Sequence, residues 1–72
     1  MYMTDEDMRR FKSCMVGAGY NITSLAKAIG MPRESLSARI NGKVDFSRSD
    51  MNVISDKLMV SPVYLFFGKK VS

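Results

Sequence analysis

The sequence predicts an all-α fold: a compact five-helix bundle whose second and third helices form a helix-turn-helix. Three observations lead there. Apolar residues recur at three- and four-residue spacing in several separate segments. Residues suited to capping or turning a helix bound those segments, with connections of only a few residues. No segment carries a strand signal.

The first helix is expected from Thr4 to about Gly17. Thr4 can accept an orphan amide proton at the helix start, and Asp5, Glu6 and Asp7 complement the positive end of the helix dipole. Met8, Phe11, Met15 and Ala18 share one face, with Cys14 beside them as a small core residue, while Arg9, Arg10 and Lys12 lie off it. Gly17 and Gly19 end the helix, and Tyr20 packs at the corner.

Asn21 to Gly42 reads as two short helices joined by a tight turn. Ile22, Leu25, Ala26 and Ile29 form the apolar face of the first, with Asn21 as its cap and Thr23 as the competing choice. Gly30 adopts a left-handed exit at no steric cost, and Pro32 biases Met31 away from helical geometry. Leu36 and Ile40 mark the buried stripe of the second, which Asn41-Gly42 closes.

Beyond a loop whose Phe46 is expected to enter the core, Ser47 and Asp50 have the spacing of a capping box. A fourth helix from Arg48 to Leu58 buries Met51, Ile54 and Leu58. Ser61-Pro62 then opens a short fifth helix, Pro62 to Phe67, that stops at Gly68.

These 72 residues are read as one domain with a thin core. No stretch reaches the length of apolar chain that spans a membrane, and the acidic start MYMTDED is unlike a secretion signal. A single cysteine suits a reducing cytoplasm. With no histidine, neither a structural metal nor any cofactor is expected, and no small-molecule ligand is evident. The same absence, with no cysteine–base pair and no phosphate-cradling glycine loop, argues against an enzyme. A net charge of +4 suits a polyanionic partner.

The run Leu25-Ala26-Lys27-Ala28-Ile29-Gly30, followed by Leu36, Ile40, Asn41 and Gly42, resembles the helix-turn-helix of the lambda-repressor/Cro-like DNA-binding domains, above all their small phage-type members. The likeness extends from about Phe11 to Phe67. It implies a lambda-repressor-like arrangement in which the second helix of the motif enters the major groove. Pro32 stands where the family usually offers a Ser or Thr cap, so the third helix should lack one. Arg39 falls where many members are apolar, with Ile40 taking that role.

Carried over from the family, the base-reading residues are Arg33, Glu34, Ser37 and Ala38, which are read as lying away from Leu36 and Ile40. Arg33 suits guanine O6 and N7, Glu34 a cytosine amino group, Ser37 either kind of partner, and Ala38 a thymine methyl. Asn21 and Thr23 are expected to meet one phosphate, and Arg39, Asn41, Lys43 and Arg48 a second. From Lys27 to Arg48 there are five basic residues against Glu34 and Asp45, so most of the net charge sits in this stretch.

The resulting expectation is a cytoplasmic, sequence-specific transcriptional regulator of phage or mobile-element type, a Cro-like repressor on double-stranded DNA. Its operator should be palindromic and its active form a homodimer, with Tyr64, Phe66, Phe67 and Val71 as candidate dimer contacts. Recognition helices of the two copies would lie about 34 Å apart. The chain has no room for the separate oligomerisation or self-cleavage domain of larger repressors. The competing expectation is a protein-interaction module on the same scaffold, an antitoxin or anti-regulator.

Overall fold

Each helix begins where a short polar side chain or a proline can serve its first turn. A computed structural model of the protein describes residues 1–69. Its helices are α1 (Asp5–Gly17), α2 (Ile22–Ile29), α3 (Arg33–Ile40), α4 (Arg48–Leu58) and α5 (Pro62–Phe67), with no strand among the described residues. At α1 the Thr4 hydroxyl accepts from the Asp7 amide while the Asp7 carboxylate accepts from the Thr4 amide, a reciprocal box. Asn21, not Thr23, caps α2, and Ser24 returns the bond to the Asn21 amide. Pro32 precedes α3 with no side-chain cap. Ser47 and Ser61 cap α4 and α5.

Gly30 leaves α2 at φ +74°, and Gly68 leaves α5 at φ +71°, in the left-handed region. The corresponding exit of α4 falls to Met59, at φ 56°. Its side chain is 91% exposed, so the conformation is set by the backbone turn and not by packing of the thioether.

α5 lies against α1 and α4, and α2 packs on both α3 and α4. One cluster of buried residues fills the space between them. At its centre Phe11 of α1, Phe46 of the α3–α4 loop and Phe66 of α5 stack and tilt on one another, with ring centroids 5.2 to 6.2 Å apart. Met3, Met15 of α1, Leu25 and Ala26 of α2, Leu36 and Ile40 of α3, Ile54 and Leu58 of α4, and Leu65 of α5 complete the core.

Several sequence expectations are corrected. Phe66 is fully buried, so it belongs to the core and not to a partner surface; Phe67, 55% exposed, is the outward member of the pair. Val71 lies outside the described residues. Ala18 is exposed, because α1 ends at Gly17 and Ala18 is already the C-cap. Met8, Cys14 and Met51 only flank the core.

Arg10 is not a free surface charge. Its Nη2 pairs with Asp7 Oδ1 at 2.6 Å and its Nε donates to the Leu65 carbonyl at 3.2 Å, tying α1 to α5. Asp50 does not return the Ser47 bond that a full box requires; it faces Arg39 of α3 instead.

The segment before α1 folds back along the loop after α3. Met1 and Phe46 exchange reciprocal backbone hydrogen bonds of 2.9 and 3.2 Å, and Met3 is buried. This strap passes directly over Gly42.

Candidate nucleic-acid interface

The site is built on a helix that buries little of itself. Of the eight residues of α3, only Leu36 and Ile40 are fully enclosed, anchoring it on α2 and the core. Glu34, at the first turn, is exposed, as is Asn41 at the C-cap. Ser37 and Ala38 are half-buried. The C-terminal end turns sharply: the amides of Lys43 and Val44 both donate to the Ala38 carbonyl, at 2.9 and 3.3 Å. That turn brings the chain back beside Ala38 and accounts for its partial burial.

Arg33 does not share the outer side of α3 with Glu34 and Ala38. It precedes Leu36 by three residues and so lies on the same helical side. It remains exposed because it stands at the helix start, and its side chain reaches across the turn to α2, where Nε donates to Thr23 Oγ1 at 3.1 Å. Ser37 and Asn41, one turn apart, are joined by Asn41 Nδ2 donating to Ser37 Oγ at 3.3 Å.

Among the residues expected to meet phosphate, Thr23, Lys43 and Arg48 are exposed, and Lys27 on α2 adds a further exposed cation. Asn21 is exposed too, but its carboxamide oxygen is committed to the Ser24 amide at 2.8 Å. Arg39 is turned toward the body of the protein. Its Nη1 donates to the Ser35 carbonyl at 3.0 Å, and its Nε lies 3.5 Å from the Asp50 carboxylate. Both side chains of that pair are about three-quarters covered, at 25% and 27% exposure. Arg39 therefore links α3 to the start of α4 through an ionic contact alone, because its buried Nε makes no hydrogen bond.

The Arg39–Asp50 pair escapes sequence reasoning because both residues already had plausible local roles. The only available signal was Arg39 at a position that the family resemblance expects to be apolar. A charge there needs a partner from a neighbouring helix.

Away from α3, a shallow depression of about 520 Å³ opens at the α4–α5 corner, lined among others by Asn52, Ser55, Asp56 and Met59. No pattern of residues announces it. It contains one carboxylate and neither a thiol nor a basic side chain. Among the described residues no cluster of His, Cys, Asp or Glu is placed to hold a metal ion. No helix among them is long and apolar enough to cross a membrane.

Comparison with protein-family models, with curated proteins and with solved structures gives no match. Among the described residues the fold is all-helical, with Glu34 of α3 and its C-cap Asn41 exposed.

Proposed function

We propose that this chain is a sequence-specific, double-stranded-DNA-binding transcriptional regulator, Cro-like and of phage or mobile-element type, which places α3 in the major groove. The observation that carries the reading is that α3 is anchored by two side chains and leaves Glu34 and part of Ser37 open to solvent. Side chains of this kind match base edges: a carboxylate accepts from cytosine N4, and a hydroxyl both gives and accepts.

Lys27, Lys43 and Arg48 add exposed positive charge within the same part of the sequence. That suits the sequence-independent attraction on which DNA binding depends. The working form is a homodimer on a palindromic operator, paired through the exposed Tyr64 and Phe67 of α5. The regulator acts in the cytoplasm by occupying its site and needs no cofactor.

Selection of bound duplexes from a random pool, followed by affinity measurements over a range of salt, tests the proposal. A regulator enriches a two-fold site and loses log K against log salt with a slope of about −0.9 for each phosphate neutralised. Failure to bind any duplex at low ionic strength overturns it. A protein-binding scaffold of the antitoxin type gives that null result and, with its own partner, a weak response to salt.

A further inference from the structure

Arg33 and Thr23 each sit near the start of a different helix, ten residues apart, yet their side chains meet at 3.1 Å. We propose that Thr23 is a positioning residue for Arg33: it locks the guanidinium so that the two terminal nitrogens face a guanine as a fixed pair of donors, and it is not itself a phosphate contact. The inference rests on the DNA-binding reading above, with Arg33 expected on guanine, and adds to it the residue that enforces the choice.

The chemistry follows from which donors are taken. A guanidinium carries five N–H groups in one plane. With the Nε proton given to Thr23 Oγ1, the donors left are those on the two terminal nitrogens, Nη1 and Nη2. Guanine presents O6 and N7 side by side in the major groove, and an arginine that offers two parallel donors satisfies both. The bond to Thr23 also fixes the orientation of the plane, which an exposed arginine otherwise samples freely.

Two further observations free this pair for the task. The start of α2 is already served by the reciprocal Asn21–Ser24 bonds, so the Thr23 hydroxyl is not needed as a cap. Among the described residues no carboxylate comes within ion-pair distance of Arg33, so nothing draws the guanidinium away. Pro32, at φ −57° and ψ 142°, restrains the backbone immediately before it.

Selectivity arises because the benefit of a fixed donor pair appears only when both nitrogens find acceptors together. A base with one acceptor, or a phosphate approached at another angle, gains less from it. Losing the lock should therefore reduce discrimination more than overall affinity.

The test uses the full chain and the duplex obtained by selection. Affinities of the wild type, Thr23→Val, Thr23→Ser and Arg33→Lys are measured on that duplex and on versions with each guanine replaced, at several salt concentrations. Circular dichroism melts verify that every variant is folded.

Thr23→Val keeps the shape and removes the acceptor, and is expected to reduce the preference for one guanine by about three- to tenfold, the scale of freeing one long side chain. Non-cognate binding and the salt slope stay as in the wild type. Thr23→Ser restores the preference, and Arg33→Lys, which has no planar donor pair, abolishes it.

The proposal is overturned if Thr23→Val leaves the guanine preference unchanged. It is equally overturned if that variant weakens all duplexes alike with a salt slope shallower by about 0.9, the signature of a lost phosphate contact. Both results leave the regulator reading standing. A wild-type protein that ignores duplex DNA altogether removes that reading and this inference together.

Discussion

The carbonyl oxygen of Met3 faces Gly42 so closely that a β-carbon on that glycine would lie 2.6 Å from it. Gly42 also has φ +77°. Two independent reasons therefore forbid a side chain here, whereas at Gly30, with φ +74° and nothing within 4 Å, only the backbone conformation does. Gly30→Ala is expected to cost about 1 kcal/mol, the ordinary penalty of a left-handed residue. Gly42→Ala should cost about 2–3 kcal/mol, because the strap carrying Met3 must also move. Urea unfolding of the two variants side by side checks this; equal losses would mean that the strap is not seated over Gly42 in solution.

Phe66 and Phe67 are neighbours with opposite fates. Phe66→Ala opens a cavity against Phe11 and Phe46 and is expected to cost about 3–5 kcal/mol. Total stability at this chain length is about 4–11 kcal/mol, so the variant should be largely unfolded on warming. Phe67→Ala should change monomer stability by no more than about 0.5 kcal/mol. Thermal melts at low protein concentration separate the two, and comparable losses would contradict the placement of Phe67 at the surface.

Asp7 makes stability depend on acid. Burial alone would raise its pKa, but hydrogen bonds from the Arg10 guanidinium and from the Thr4 amide and hydroxyl, with the Arg10 charge, outweigh that and hold the carboxyl below its ordinary value. A carboxyl more acidic in the folded than in the unfolded chain contributes stability that is complete above the unfolded value, near pH 4. That contribution disappears as pH falls through the lower, folded value. Unfolding free energies measured from pH 6 down to pH 2 should decline below about pH 4. Asp7→Asn should start less stable and decline less, and parallel curves for the two proteins would remove Asp7 from the account.

Arg39 and Lys43 are both basic residues of the α3 region, but they should respond differently to truncation. Arg39→Ala breaks the bond to the Ser35 carbonyl and leaves Asp50 unpaired, at an expected cost of about 1 kcal/mol in folding stability. Lys43→Ala removes an exposed charge and should leave stability unchanged while weakening every duplex alike and flattening the salt slope by about one unit. Paired urea and DNA titrations read both effects. An Arg39→Ala variant that is as stable as the wild type but shallower in salt would reassign Arg39 to the DNA backbone.

Much of the fold is legible because its boundaries are chemical. Thr4, Asn21, Ser47 and Ser61 announce helix starts through their own side chains, and Gly30 and Gly68 announce ends through the conformation they permit. What escaped has no periodic signal. Met3 lies before any helix, and its burial arises only where the folded chain brings it against the core and over Gly42. Met59 ends α4 in a conformation its residue type does not favour. Within the candidate site, exposure of Glu34 and Asn41 could be expected from their distance in phase from Leu36. The pairings Arg33–Thr23 and Arg39–Asp50 could not, since each joins side chains of different helices whose relative position only the folded chain defines.

Because Phe46 fastens the chain just past α3 into the aromatic centre, and Leu36, Ile40 and the Arg39–Asp50 pair fasten the helix itself, the scaffold asks little of Glu34, Ser37 and Asn41. A lineage carrying this sequence can rewrite Glu34, Ser37 or Asn41 one mutation at a time and still fold. Whatever target α3 addresses, its vocabulary is free to drift while the frame that holds it stays the same.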